Sequence, residues 1–332
     1  MLVLGIESTC DETSAALVRS GHEIVRHIIA SQSSVHNLFG GVVPEIASRH
    51  HIESIIPVIE ECVSDFPLCD IDLIAVANEP GLIGSLLVGI QTAKALSWTL
   101  NRPMVGVNHI EAHLYASMMG LDNISEHLPA LGLILSGGHS TLLLIKEIGT
   151  YSLIGQTVDD AVGEAFDKVA RILSLGYPGG PEVEKRAQGG DPFAFPLRAG
   201  KVKRDPYSFS FSGLKTAVLY TAQKQTLSEQ TTSDLCASFQ HAAFSDLTQK
   251  LSKAIGQYSP KALFLGGGVT QNKALRSMVS KSTSLPTFWP QPLLSLDNAA
   301  MIAGLGYHKW KKSPSDMCFS LEPKTRVSFS AL

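Results

Sequence analysis

A short apolar strand that breaks into a polar turn and resumes as a second strand occurs twice in this chain, and that pattern limits what the chain can fold into. Leu2 to Ile6 runs into the turn Glu7 to Thr13 and resumes at Ala15 to Val18; Ala130 to Leu135 runs into Ser136 to His139 and resumes at Thr141 to Ile145. The two copies are not sequence repeats, so the duplication they imply is architectural. After each opening, strands alternate with helical patterns. Pro44 to Cys62 has apolar residues at helical spacing (Ile46, Ile52, Ile55, Ile56, Ile59) and predicts one or two helices, straight or kinked at Pro57. Ile71 to Ala77 and Met104 to Val107 read as buried strands, each followed by a helix: Ala93 to Leu100, and about Asn108 to Met119. The second half continues with helices over Asp159 to Leu173, Gly213 to Gln225 and Thr232 to Gly256, a strand at Ala262 to Leu265, and a helix from about Asn272. Alternation of this kind makes the class α/β.

The chain has 332 residues, 44% of them hydrophobic and 17% charged, more than a single core organises. Two lobes are expected: residues 1–126, completed by 297–332 packing back through a helix at Asn298 to Trp310, and residues 127–296, with the polar Asp122 to His127 as hinge. Loops at the strand ends would then line a cleft between lobes.

A net charge of −3 and a pI near 6.4 supply no global field that draws in nucleic acid, so any such surface is a local basic patch or belongs to a partner. The five cysteines (Cys10, Cys62, Cys69, Cys236, Cys318) form no C-x-x-C pair and are odd in number, which suits reduced thiols. The start, MLVLGIESTCDET, turns acidic within a dozen residues and does not read as a signal peptide. Every apolar stretch is broken before the roughly 18 residues that a membrane span needs. An intracellular protein without a membrane partner is the expectation.

The sharpest chemical signal is His109-Ile-Glu-Ala-His113. Residues four apart on a helix project about 40° apart, so both imidazoles reach one ion. Glu111 lies on another face and Ile110 occupies the place where a zinc protease carries its basic glutamate, so the protease arrangement is absent. Asp297, ahead of the last helix, is the candidate third ligand; the competing reading is a pair of ordinary surface or core histidines. Three glycine turns offer backbone amides to phosphate: Ser136-Gly137-Gly138-His139, Gly266-Gly267-Gly268 before a helix, and Tyr177-Pro-Gly-Gly-Pro181, read as closing one. No Walker loop and no G-x-G-x-x-G is present.

Asp159, Asp160, Glu164 and Asp167 are read as one helix face, solvated or, for Asp167 together with Glu184, directed at ribose hydroxyls. Arg198, Lys201, Lys203, Arg204 and the run Ser208-Phe-Ser-Phe-Ser-Gly-Leu-Lys215 combine cations with aromatics, as a loop in solvent or a contact for a phosphate backbone. Cys10 has no accompanying histidine motif and is not a nucleophile candidate.

Taken together, GIESTCDET (Gly5 to Thr13), GGVVPEIASRHH (Gly40 to His51), NHIEAH (Asn108 to His113), LSGGH (Leu135 to His139), GEAFDK (Gly163 to Lys168), YPGGP (Tyr177 to Pro181), FSFSGLKT (Phe209 to Thr216), GGGV (Gly266 to Val269) with Asn272, and DNAAMIA (Asp297 to Ala303) resemble the tRNA threonylcarbamoyltransferase (TsaD) family over nearly the whole chain. The resemblance implies the two-lobed actin, sugar-kinase and Hsp70-like fold, with a nucleotide in the cleft. It implies transfer of the threonylcarbamoyl group of threonylcarbamoyl-AMP to N6 of adenosine 37 in tRNAs that read codons beginning with adenine. It further implies His109, His113 and Asp297 as metal ligands, holding Fe2+ by resemblance while the donor set also suits Zn2+. Adenylate contacts fall on Ile134, Leu135, Ser136, Gly137, Gly138, Asp167, Gly180, Glu184 and Asn272. Asp11, Glu12 and Thr13 would face the reacting group, with Asp11, Glu12 and His139 as candidate bases. Implied partners are tRNA, a non-catalytic paralogue of the same fold and a small ATPase (TsaB-like and TsaE-like), in the cytoplasm. Two departures stand out: Glu79-Pro80-Gly81 replaces the family's Gly-Pro-Gly, and Glu184 replaces an aspartate. The rivals are a phosphotransferase of the same fold and a nucleotide-binding scaffold subunit.

Overall fold

The computed structural model describes residues 1–314 and 319–326 apart from 40, 122 and 204; Gly40, Asp122, Arg204 and Cys318, all named above, lie outside the described residues. The chain forms two compact units, Ser125–Trp289 and a unit made of Met1–Ile124 with residues 290–314 and 319–326.

The first unit opens with β1 (Leu2–Glu7), β2 (Glu12–Arg19) and β3 (Glu23–Ser31), followed by the short helix α1 (Ser33–His36), α2 (Pro44–Val63), β4 (Leu73–Glu79), α3 (Ile83–Leu100), β5 (Met104–Asn108) and α4 (His109–Ala116). Its sheet has the order β3-β2-β1-β4-β5. β1 is antiparallel to β2, with Ile6 opposite Ala15, and parallel to β4, with Gly5 opposite Ala75. A central strand buried on both faces reads as a near-continuous apolar run, and β1 is buried along its full length with Glu7 alone charged, at its end.

The second unit runs β6 (Ala130–Leu135), β7 (Ser140–Glu147), β8 (Thr150–Gln156), α5 (Val162–Ile172), α6 (Gly179–Ala187), α7 (Ser212–Gln223), α8 (Glu229–Tyr258), β9 (Leu263–Gly266), α9 (Lys273–Ser282) and β10 (Thr287–Phe288). Read from its antiparallel edge the sheet is β8-β7-β6-β9-β10, with β6 antiparallel to β7 and parallel to β9. This repeats the order and sense of the first sheet. The expected duplication is therefore one of topology. The core of this unit gathers around Phe166, whose ring meets Phe239 at 4.8 Å and Phe244 at 5.5 Å.

The last helix, α10 (Ala299–Lys312), returns to the first sheet. It lies so close to β1 that a Cβ on Gly5 would come within 2.3 Å of the Ala299 carbonyl oxygen. Small residues at this crossing let helix and strand meet at backbone distance.

α2 is a single helix through Pro57, one of the two forms expected. Several expectations need correction. β3 and β8 were missed: β3 is a half-exposed edge strand with charged residues, and β8 follows a tight turn at Gly149 (φ +82°) that gave no composition signal. Asp159 and Asp160 precede α5. Tyr177 to Pro181 opens α6 instead of closing a helix.

Candidate metal centre and glycine-lined turns

The two histidines are set by a capped helix start. β5 delivers Asn108, whose side-chain oxygen accepts from the amides of Ile110 (2.9 Å) and Glu111 (3.1 Å), satisfying orphan donors at the start of α4. His109 and His113 then follow one turn apart, both buried, with ring centroids 4.6 Å apart. A second cap sets the carboxylate. Asn298 accepts from Met301 N at 3.0 Å and donates to the carbonyls of Leu294 (3.2 Å) and Leu296 (2.8 Å), which folds the chain back just ahead of α10 and turns Asp297 inward. Asp297 Oδ1 lies 3.1 Å from His113 Nε2 and 3.4 Å from His109 Nε2, and the three donor atoms fall within 4.8 Å of one another.

The electrostatics suit a cation. Burial pushes the His109 imidazole down, but the Glu7 and Asp297 carboxylates outweigh it and hold the group well above its ordinary value. Burial raises Asp297, and the two histidines more than reverse that, taking it well below the carboxylate range. Glu12 is pushed up to about 9 by burial, then by Asp297 and Asp11. Carboxylates crowded this way oppose one another's ionisation, a strain that a divalent ion relieves. His113 Nδ1 is buried with no hydrogen-bond partner among the described residues, so this imidazole meets the protein's polar groups only through Nε2. The donor set of two imidazoles and a carboxylate fits a metal with positions left open.

The turn after β1 is fixed from α2. His51 Nε2 donates to the Cys10 carbonyl (2.9 Å) and Nδ1 accepts from Thr13 Oγ1 (2.8 Å). Asp11 and Glu12 are thereby held in the same unit as the three candidate ligands, where Glu12 Oε1 accepts from Ser31 Oγ at 3.3 Å. Burial, with help from Asp11, raises the Cys10 thiol well above its ordinary value, which disposes of it as a nucleophile.

The expected adenylate positions belong to the second unit. Ser136 N donates to the His139 carbonyl (2.8 Å) and His139 N to Ser136 Oγ (3.1 Å), closing the turn between β6 and β7. Gly137 and Gly138 are exposed, and a Cβ on either would meet nothing within 4 Å. Behind them Gly163 is crowded, since its Cβ would lie 2.6 Å from the Ser136 carbonyl oxygen. Ile134 and Leu135 are buried strand residues that offer a ligand only backbone. Asp167 Oδ1 accepts from Gly179 N (2.8 Å), and Glu184 Oε1 from Lys273 N (2.8 Å), so each carboxylate commits one oxygen to a helix start. Asn272 caps α9 and donates to Gln240 Oε1 at 2.7 Å. Gln240 in turn lines a cavity of about 230 Å³ with Ala187, Gly190, Ala274 and Met278. A Cβ on Gly180 would point into open space.

The basic loop keeps Arg198, Lys201 and Lys203 exposed, but Phe209 and Phe211 are fully buried and Lys215 pairs with Asp160 at 3.0 Å. The aromatics of that run pack the core and present no stacking surface.

The family model described as tRNA N6-adenosine threonylcarbamoyltransferase, TsaD, matches residues 23–304. This chain belongs to that family. Among TsaD relatives of that name, the protein of Protochlamydia amoebophila is 54% identical, covering 100% of this chain and 99% of its own length, and that of Bacillus subtilis is 46% identical over 94% and 91%. Solved structures extend the likeness to the fold. HypF of T. kodakarensis superposes with a TM-score of 0.64 at 14% identity, over 94% of this chain and 48% of its own. The Clostridium difficile activator of 2-hydroxyisocaproyl-CoA dehydratase, solved with ADPNP, gives 0.53 at 12% over 94% and 97%. A ROK-family glucokinase from Streptomyces griseus gives 0.51 at 12% over 92% and 98%. The two-lobed actin and sugar-kinase architecture expected from the sequence is therefore the fold of this TsaD chain.

Three residues of this TsaD site escaped the sequence reading as individuals. Glu7, fully buried, accepts from His109 Nδ1 at 2.9 Å; its signal was a charge ending an otherwise apolar strand. His51 and Gln240 carried no signal beyond their positions on helices, because their partners come from distant segments.

Proposed function

We propose that this threonylcarbamoyltransferase works with one divalent ion held by His109 Nε2, His113 Nε2 and Asp297 Oδ1, and that it transfers the threonylcarbamoyl group of threonylcarbamoyl-AMP to N6 of adenosine 37 in tRNAs reading codons that begin with adenine. The carrying observation is the convergence of these three atoms within 4.8 Å, built by two independent helix caps. Such an ion supplies Lewis-acid polarisation of a carbonyl or phosphoryl oxygen. In the transfer the adenosine amine bonds to the carbamoyl carbon, the carbon–oxygen bond to phosphate breaks, AMP leaves, and the amine loses a proton.

Asp11 and Glu12, in the turn that His51 fixes, are the proposed acceptors of that proton, with His139 the alternative. The open amides of Gly137 and Gly138, flanked by His139, suit the leaving phosphate. Asp167 and Glu184 are proposed to meet the ribose hydroxyls, and the cavity lined by Ala187, Ala274 and Met278 together with Gln240 and His241 is proposed to take the purine. Fe2+ is the proposed ion; Zn2+ fits the same donors. Exposed Arg198, Lys201 and Lys203 are proposed to meet the tRNA backbone. With a net charge of only −3 the remaining nucleic-acid surface falls to partners, proposed as a TsaB-like paralogue and a TsaE-like ATPase in the cytoplasm. No described helix is long and apolar enough to cross a membrane.

The test is transfer of labelled threonine from threonylcarbamoyl-AMP to unmodified tRNA with partner subunits supplied. His109→Ala and His113→Ala are expected to lose bound metal and to cut transfer by more than the roughly hundredfold that loss of an outer-shell group produces. Variants that keep full transfer sink the metal reading. A wild type that hydrolyses ATP without transferring label sinks the reaction.

A further inference from the structure

We propose that Glu7 is the positioning residue of the metal centre: its buried carboxylate holds His109 Nδ1–H and so leaves Nε2, which faces Asp297 and His113, as the nitrogen that binds the ion. This rests on the metal reading above and deepens it. Glu7 ends β1 and is fully buried, where a polar group needs its oxygens satisfied. Both are. Oε1 accepts from Thr9 N at 2.6 Å and Oε2 from His109 Nδ1 at 2.9 Å, with Thr9 Oγ1 also 3.3 Å from that nitrogen.

A carboxylate accepts at both oxygens, so it accommodates two donors that face it from different sides. An amide has only one acceptor. If the oxygen of a glutamine faced Thr9 N–H, its NH2 would face His109; the ring would then accept on Nδ1 and carry its proton on Nε2, where a ligand needs its lone pair. If the amide were reversed, its NH2 would oppose the N–H of Thr9. Glu7→Gln thus changes little in shape and removes the tautomer that binds metal. Outer-shell carboxylates orient ligating imidazoles in this way and raise their basicity. His113 has no such carboxylate among the described residues, where its Nδ1 is without a hydrogen-bond partner.

The experiment is titration of Co2+ into the metal-free full chain, followed by its visible absorption, for wild type, Glu7→Gln and His113→Ala, with thermal unfolding of each metal-free protein recorded alongside. The expected result is a metal-free Glu7→Gln that melts with wild type but binds Co2+ about tenfold to a hundredfold more weakly. Wild-type Co2+ affinity in a folded Glu7→Gln overturns the proposal while leaving the metal reading intact if His113→Ala loses the ion. Unchanged binding in His113→Ala overturns both. Should Glu7→Gln fail to fold, 15N spectra of the histidine side chains in the Zn2+-loaded wild type decide. A proton on Nδ1 and the metal on Nε2 of His109 support the role, and the reverse overturns it.

Discussion

His27 shows how a residue outside the chemistry tunes the metal-bearing unit. Its Nε2 lies 3.2 Å from Ser14 Oγ, which donates to the Ile28 carbonyl (2.8 Å) and accepts from Ala299 N (3.0 Å) at the start of α10. Burial lowers His27 from 6.5 to about 4, so the folded state holds the ring neutral while the unfolded chain protonates it near 6.5. The unfolded state therefore binds the extra proton, and the contribution of this group to stability is complete above pH 6.5 and is lost as pH falls toward 4. Urea unfolding of the metal-free protein at pH 7 and pH 5 should show wild type losing stability at the lower pH and His27→Gln losing less. Equal losses would remove His27 from the account. His51, two of whose neighbours are Cys10 and Thr13, is likewise lowered chiefly by burial and works as a neutral ring that donates with one nitrogen and accepts with the other.

At the scale of elements, caps decide where the chemistry sits. Asn108, Asn272 and Asn298 each start a helix with a side-chain oxygen, and each lies at or beside a candidate ligand position. Asp159 performs the same service across sequence. Oδ1 accepts from Phe211 N (2.8 Å) and Ser212 N (3.2 Å), and Oδ2 from the hydroxyls of Ser210 (2.6 Å) and Ser212 (2.8 Å), anchoring the start of α7. Burial alone would raise this carboxyl, and the four hydrogen bonds outweigh it and lower it below 3.8. The stabilisation is accordingly present above about pH 4 and fades as acid protonates the group. Asp159→Ala should cost about 1 kcal/mol at pH 7, as other lost caps do, and progressively less as pH falls below 3.8, measured by denaturant midpoints. Asp160 was read with Asp159 as part of a helix face, yet it pairs with Lys168 (2.7 Å) and Lys215 (3.0 Å) ahead of α5.

On the scale of the whole molecule, the two units differ in how the chain completes them. Ser125–Trp289 is continuous and contains its own five-stranded sheet and aromatic core. The first unit has a five-stranded sheet as well, but α10 reaches it only after the second unit has been traversed, and the close approach at Gly5 depends on that helix. Residues 125–289 expressed alone should unfold in one cooperative transition seen alike by far-ultraviolet and near-ultraviolet circular dichroism. Residues 1–124 alone should lack such a transition, since the apolar face that covers α10 would be bare and Asp297 absent. A folded 1–124 fragment would show that this unit does not need α10 for its stability.

How much was legible follows from the range over which each signal acts. The class, the duplicated opening, most helices and the His109, His113 spacing are local in sequence: an apolar run of fixed period or two residues one turn apart fixes its own geometry. Asp297 could be named because it precedes a helix, though its 3.1 Å approach to His113 spans most of the chain. The half-exposed β3, the burial of Phe209 and Phe211, the reuse of Asp167 and Glu184 at helix starts, and the pairing of Glu7 with His109 depended on neighbours that no local pattern specifies. The sequence by itself determined the elements and the types of chemistry available, because propensity, period and capping act within a few residues. Only the tertiary structure decided which side chains are satisfied by the protein and which remain for a ligand, because a hydrogen bond has two ends and folding alone brings the second one near.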